Sequence, residues 1–487
     1  MSVGLRIKAT DCFNQAKQKI KKKGFALFDY QENSVGWMLG KEIVYKQGGI
    51  LGDVPGAGKT VQAAALMLGN SLRRTLIVVP GYIVHQWLDF LRKIFKTKRI
   101  QHFRKGTVIN PKARIVVTSY GYVYKRSKKG CSTGFQPTPL HRKKWSRLIL
   151  DEAHIIRNKY SKTAQGIFSL DAGIKWGLTG TPLQNYAYDF TSLRELFGEN
   201  FMRRSYMDLG QRLPSLSVEI HKFMFTEKED DIYDLSQNHS GRGRVFLQRR
   251  LCVDSFLISG EELSGEPSYL KGASGHIVKY PYQLSSKMKS LISWLGEHPD
   301  EYSVIFTHFR NEQQRACETL KKFGYNVGCI KGGQSKKKRL NILNSFGNAR
   351  LAKLLLRKIC EKEWKTGRIG LPHLVEHKIF EYINSYPSIL VIQIRAGSLG
   401  LNLQQASRVY FLSGDYNPSS EDQAMARCYR MGQTRPVHVK KMIMLRRMET
   451  EQTVEERILS IQKGKRDIYI EALGEKDMQS DHHGKEV

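Results

Sequence analysis

The chain has 487 residues, 79 of them Lys or Arg against 45 Asp or Glu, for a formal net charge of +34. That length corresponds to about three domains, and a composition 40% hydrophobic and 25% charged excludes wholesale disorder. No apolar run approaches the ~20 residues that cross a bilayer, and MSVGLRIKAT at the N-terminus lacks a signal-peptide core. The seven cysteines are scattered without a CxxC pair, against a disulfide framework, a zinc finger or a RING module. The expectation is a soluble, intracellular protein, neither secreted nor membrane-bound, whose charge suits a polyanion.

Residues 1–24 read as a basic extension, in which Lys17, Lys19, Lys21, Lys22 and Lys23 make a solvated helix face or a localisation signal. The next landmark is Gly52-Asp53-Val54-Pro55-Gly56-Ala57-Gly58-Lys59-Thr60, ahead of a helical run from Val61. GxGKT at a helix start makes a turn whose backbone N–H groups face phosphate. Lys59 would reach the β- and γ-phosphates and the Thr60 hydroxyl would ligate Mg²⁺. The strict pattern wants Gly at position 53, where this chain has Asp53. The element predicts binding of ATP or GTP.

Apolar runs at Leu76–Val79, Ile115–Val117 and Leu148–Leu150 each end at turn or polar residues and read as buried parallel strands. Between Phe90 and Leu150 there is no Asp or Glu but 17 Lys or Arg, half of the net charge. Clusters such as Lys125, Arg126, Lys128 and Lys129, with Tyr120, Tyr122, Tyr124 and Trp145 interleaved, suit a phosphate backbone. The third strand runs into Asp151-Glu152-Ala153-His154. In phosphoryl transfer the first acid of such a pair holds Mg²⁺ and the second orients the attacking water.

Residues 201–284 lose the strand pattern and read as a helical protrusion and linker, with helices over Phe225–Leu235 and Val245–Leu257 and loops over Ser236–Arg244 and Gly260–Gly275. Strand runs return at Val304–Phe306, Ile389–Ile392 and Val409–Leu412, marking a second lobe. Residues 349–387 form an insertion in it, with a packing stripe at Leu351, Leu354, Leu355 and Ile359, and Glu471–Val487 read as a disordered tail.

In this order the motifs resemble superfamily 2 helicases, and more narrowly the Swi/Snf-type DNA-dependent ATPases, over about residues 25–465. Phe28-Asp29-Tyr30-Gln31 resembles the adenine-recognising glutamine motif, and GDVPGAGKT and DEAH the two nucleotide motifs. Leu178-Thr179-Gly180-Thr181-Pro182-Leu183-Gln184-Asn185 is similar to the family's LTGTPLQN. Ser285–Lys289, Arg395–Leu403, Gln423–Gln433 and Thr453–Glu456 resemble its later motifs. Departures are Gln393-Ile394 for a Ser-Thr pair, Ser398 for Gly and Tyr416 for Trp.

The resemblance implies two RecA-like lobes, residues 25–200 and 285–470, built of parallel sheets flanked by helices with the protrusion between them. It implies ATP and Mg²⁺ as cofactors, held by Gln31, Asp53, Gly56, Ala57, Gly58, Lys59, Thr60, Gly400 and Gln423. Arg427 and Arg430 join Lys59, Asp151 and Glu152 as catalytic residues. Thr179, Gly180, Thr181 and Gln184 would couple nucleotide to track. Gln86, Trp87, Thr118 and Tyr120 in the first lobe, and His308, Arg310 and Asn402 in the second, would touch double-stranded DNA.

The expected activity is ATP-driven translocation on duplex DNA that remodels or displaces bound protein such as nucleosomes or transcription complexes, by a motor able to act as a monomer. Strand separation on DNA or RNA, and a non-catalytic DNA-binding module, are the alternatives. Nucleus, cytoplasm or virion are all compatible with such a motor.

Overall fold

A computed structural model describes residues 3–97, 99–124, 136–183, 188–206, 208, 213–254, 284–335, 337–346, 387–394, 401–448 and 451–473. The chain divides into two compact units, each built on its own parallel sheet: residues up to 213 with 467–473 form the first, and residues 214–466 the second. The segments expected to be an insertion (349–386), a loop (260–275) and a tail (474–487) lie outside the described residues.

The first unit opens with helices α1 (Val3–Lys21) and α2 (Asp29–Gly40), then β1 (Gly49–Leu51), α3 (Lys59–Gly69), β2 (Thr75–Val79) and α4 (Val84–Phe95). It continues through β3 (Ile100–His102), β4 (Ile115–Ser119), β5 (Trp145–Asp151), α5 (Lys162–Phe168), β6 (Ala172–Leu178), α6 (Asp189–Phe197) and β7 (Phe201–Met202). The sheet order is β3-β4-β2-β5-β6-β1-β7. Every residue of β2 and β4 is buried, because helices cover both faces of a parallel sheet. Alternate side chains supply two cores: Leu76, Val78, Leu148 and Leu150 in one, Ile77, Val79, Ile149 and Leu51 in the other.

The expected basic extension is part of this unit. Ala16 and Ile20 of α1 are buried, Ile20 against Ala64 and Ile94, while Lys17, Lys19, Lys21 and Lys22 stay exposed. Register then aligns the strand ends: Leu51 pairs with Leu178, and Leu178 with Asp151. The loops after β1, β5 and β6 therefore leave the sheet side by side, where ligands bind in open α/β sheets.

The second unit corrects the reading of residues 201–284 as a helical protrusion without strands. Besides β7 in the first sheet, β8 (Leu216–Met224) pairs in parallel along its whole length with β13 (Val437–Leu445). It is an edge strand whose inward and outward residues alternate, so it lacks the continuous apolar run of a central strand. Helices α7 (Glu227–Leu235) and α8 (Gly241–Val253) follow. The second starts within the segment read as a loop, and both pack Phe225, Tyr233, Leu247 and Leu251 against Met444, Val454 and Ile458. They belong to the body of this unit.

The remaining elements are α9 (Ser286–Glu297), β9 (Ser303–Thr307), α10 (Arg310–Lys322), β10 (Val327–Ile330), β11 (Ile389–Gln393), β12 (Arg408–Phe411), α11 (Pro418–Met425) and α12 (Val454–Leu473). Their sheet runs β10-β11-β9-β12-β13-β8.

Each unit buries an ion pair. In the first, Arg147 of β5 donates from Nε to Glu42 at 2.6 Å and from Nη2 to the same carboxylate, which also accepts from Trp176 and Asn70. In the second, Lys287 donates to both oxygens of Glu455 at 2.6 and 2.7 Å and to the Leu412 carbonyl at 2.7 Å. Fully satisfied donors and acceptors are what make such burial tolerable.

Candidate nucleotide site

The site is built from the first unit's strand ends. The turn between β1 and α3 needs Gly56 and Gly58, whose φ angles are +86° and +77°. A Cβ on Gly58 would stand 2.6 Å from the Gln31 amide nitrogen, so only hydrogen fits there. Gln31 and Tyr30 each donate to the Ala57 carbonyl at 3.0 Å, tying the glutamine motif to the phosphate loop. Thr60 stands in the first turn of α3.

The Lys59 amine donates to the carbonyls of Asp53 and Val54 within the loop. Burial lowers its pKa, and the charges of Glu152, Asp53 and Asp151 push the other way. The Asp53 side chain is fully buried under the loop and accepts from Gln62 at 3.2 Å and Arg204 at 3.5 Å. It is a strut of the loop rather than a group facing outward. Arg203 donates to the Gly52 carbonyl and, at 3.1 Å, to that of Gly180. Neither Arg203 nor Arg204 belongs to a motif; their only sequence signal is a pair of arginines just past β7.

At the end of β5, Asp151 accepts from the Glu152 backbone N–H at 3.0 Å and from the Trp87 indole at 2.7 Å. Burial, then the charge of Glu152, pushes its pKa up to about 6. Two adjacent carboxylates under that pressure are a donor set suited to a hard divalent cation. One oxygen of Glu152 is buried, with His154 at 3.4 Å as its nearest polar neighbour and no hydrogen bond of normal length.

His154, pushed by burial down to about 3, is neutral. Its Nδ1 lies 3.1 Å from the Thr179 hydroxyl, 3.4 Å from that of Thr181 and 3.4 Å from Glu152. Gly180 packs so closely on Pro55 that a Cβ would come within 2.7 Å of the ring. The coupling motif therefore touches the phosphate loop directly and the acidic pair through His154. Gln184 lies outside the described residues.

The expected track residues divide. Gln86 is exposed. Trp87 is 2% and Thr118 0% exposed, and Thr118 donates to the Phe103 carbonyl at 3.0 Å. Tyr120 is buried and donates to the Asp151 carbonyl at 2.8 Å. These three side chains point into the protein, so they do not present themselves to a DNA backbone. Within the basic span Trp145 is core and Arg147 is consumed by Glu42, whereas Arg92, Lys93, Lys96, Arg104, Lys105 and Lys144 are exposed. Lys125, Arg126, Lys128 and Lys129 lie outside the described residues.

In the second unit, the Leu403 backbone donates to the Arg427 carbonyl at 3.0 Å, and Gln404 donates to that of Met431. The fifth and sixth motifs are thus laced together, with Gln433 buried and donating to Ala406 at 2.9 Å. Gln423 lies in α11, with Arg427 and Arg430 in the turns that follow it. Arg310 and Asn402 are exposed, and Gly400 lies outside the described residues. His308 is a correction: its Nδ1 is 3.4 Å from Asp415 and its Nε2 3.2 Å from Arg249, inside a polar cluster rather than on the surface.

Fold and site together define a phosphate-loop protein on two parallel sheets. Residues 30–202 match the SNF2-related domain, and residues 367–432 the helicase conserved C-terminal domain. Over these two spans the chain is similar to the Swi/Snf-type branch of superfamily 2. It is 24% identical over 549 residues to a putative SWI/SNF-related matrix-associated actin-dependent regulator of chromatin subfamily A member 3-like 1 of Arabidopsis thaliana, covering 83% of this chain and 57% of that one.

It is 22% identical to a probable global transactivator of Orgyia pseudotsugata multicapsid polyhedrosis virus, covering 86% of each. It aligns at 20% identity and TM-score 0.38 with the Sulfolobus solfataricus SWI2/SNF2 ATPase core in complex with dsDNA, over 92% of this chain and 94% of that one. The chain spans about half the length of the first curated relatives it matches. Among the described residues no helix is long and apolar enough to cross a membrane.

Proposed function

We infer that this chain is an ATP-dependent motor that travels on double-stranded DNA and remodels or displaces the proteins bound there. The observation that carries the reading is the convergence of Lys59, Asp151, Glu152 and the Gly56–Gly58 turn at adjoining strand ends, wired by His154 to Thr179 and Thr181. ATP would lie on the turn, with Lys59 exchanging its loop carbonyls for the β- and γ-phosphates. Thr60 and Asp151 would hold Mg²⁺, which neutralises charge on the phosphates. Glu152 orients water for attack on the γ-phosphorus; the bond to the β-bridging oxygen breaks, and ADP and inorganic phosphate leave.

By the resemblance Arg427 and Arg430 complete the catalytic set, supplying positive charge to the γ-phosphate. The exposed lysines and arginines of residues 90–150 supply a salt-dependent grip on the DNA backbone. The names of relatives, which include a regulator of chromatin, support a protein–DNA complex as the object of the work.

ATP hydrolysis measured with no nucleic acid, duplex DNA, single-stranded DNA and RNA tests the reading. Duplex DNA should stimulate most; equal rates in all four would sink it. Glu152→Gln should lower turnover by roughly a hundredfold or more while ATP still binds. Displacement of a triplex strand without separation of the duplex selects translocation over unwinding.

A further inference from the structure

We propose that Trp87 and Tyr120 are positioning residues that clamp Asp151 and transmit the state of the DNA-facing elements to the metal-binding carboxylate. The inference rests on the motor reading above and adds a route to it. The two oxygens of the Asp151 carboxylate are each claimed by one protein donor, Oδ1 by the Glu152 backbone N–H at 3.0 Å and Oδ2 by the Trp87 indole at 2.7 Å. The Tyr120 hydroxyl holds the Asp151 main-chain carbonyl at 2.8 Å. Carboxylate rotation and strand end are therefore both pinned, and the pins come from other elements.

Those elements are the ones expected to meet DNA. Trp87 lies on α4 next to exposed Gln86 and one turn before the exposed Arg92 and Lys93. Tyr120 begins a tight turn, Tyr120–Tyr122, that lies within the acid-free basic stretch and exposes Tyr122. Trp87 is also packed with Leu88, Leu91, Val79 and Ile149 in the core, so it moves with α4 as one body. A shift of α4 or of the turn is thus felt at Asp151 without any side chain reaching both DNA and nucleotide. Groups that orient a metal ligand from behind typically matter ten- to a hundredfold for metal affinity or activity.

Trp87→Phe keeps an aromatic ring in the core but removes the N–H donor together with part of the indole's volume. The affinity of the ADP-bound protein for Mn²⁺, read by electron paramagnetic resonance, should fall about tenfold. The Mg²⁺ concentration for half-maximal DNA-stimulated hydrolysis should rise by a similar factor. Duplex affinity without nucleotide should stay at the wild-type value, while the melting temperature in EDTA should fall by only a few degrees, the cost of the lost indole volume. Tyr120→Phe, which deletes one hydroxyl, should shift Mn²⁺ affinity in the same direction by roughly threefold.

Lost DNA affinity with unchanged Mn²⁺ affinity would make Trp87 a track contact and overturn the proposal. Unchanged Mn²⁺ affinity in both variants would reduce the two residues to packing and overturn it equally. If the wild-type protein binds Mn²⁺ and ADP but shows no stimulation by DNA, it is the motor reading that fails, and the Mn²⁺ shift still judges the clamp.

Discussion

Glu42–Arg147 in the first unit and Lys287–Glu455 in the second are both buried and hydrogen-bonded, yet they stand at opposite ends of their sheets. Arg147 lies four residues upstream of Asp151 on β5, near the strand starts, and its partners come from behind the sheet. Lys287 reaches the Leu412 carbonyl just past β12, beside the loop that carries Ser413, Gly414 and Asp415. There Glu312 accepts from Ser413 at 2.9 Å and from the His308 backbone at 3.0 Å. One ion pair is architecture remote from the chemistry; the other props the end where ligands bind.

Breaking each pair separates these roles. Arg147→Met and Lys287→Met should each cost about 3–5 kcal/mol, since each strands a buried carboxylate. Urea unfolding followed by hydrogen exchange of peptides from each unit locates the loss. Only Lys287→Met should also raise exchange across residues 412–415 and lower DNA-stimulated turnover. An equal effect of Arg147→Met on turnover would erase the distinction.

The units should also respond to pH in opposite senses. His154 has a folded pKa of about 3 against 6.5, so its contribution is present above pH 6.5 and fades as pH falls toward 3. Glu312, raised by burial from 4.5 to about 7, favours the protonated fold; its contribution is present below pH 4.5 and fades as pH rises through 7. The swings are on the order of 5 kcal/mol for His154 and 3 kcal/mol for Glu312. Between pH 5 and 7.5, first-unit peptides should gain protection from opening while second-unit peptides lose it. Glu312→Gln should flatten the second trend alone.

The smallest test concerns turns. Gly58→Ala places a methyl at φ +77° and 2.6 Å from Gln31, and should weaken nucleotide binding about tenfold. Gly414→Ala meets nothing nearer than Glu421 at 3.3 Å and should leave duplex and nucleotide affinities within about twofold. Fluorescent-nucleotide titration reads the first and DNA anisotropy the second.

What could be read beforehand follows from burial. Strands β2, β4, β5, β9, β11 and β12 are covered on both faces and announce themselves as apolar runs. Strand β8, half exposed at an edge, alternates and was hidden inside an apparently helical region. The phosphate loop and DEAH were legible because their chemistry fixes spacing as well as residue type. The direction of Trp87, Tyr120 and His308 was not, because a sequence position at a strand end does not say whether its side chain turns to solvent or to a carboxylate. Nor does net charge reveal that Arg147 is neutralised by Glu42, 105 residues away.

Glu152 occupies the left-handed region, with φ +51° and ψ +52°, which glycine adopts freely and a glutamate does not. The residue proposed to orient water thus sits on a backbone better suited to one that could not do so. Glycine there should give a more robust but inert protein, melting above the alanine variant by the ~1 kcal/mol that separates the two residues at such an angle. The strain is thus a cost the fold carries at the one position where a carboxylate adjoins Asp151.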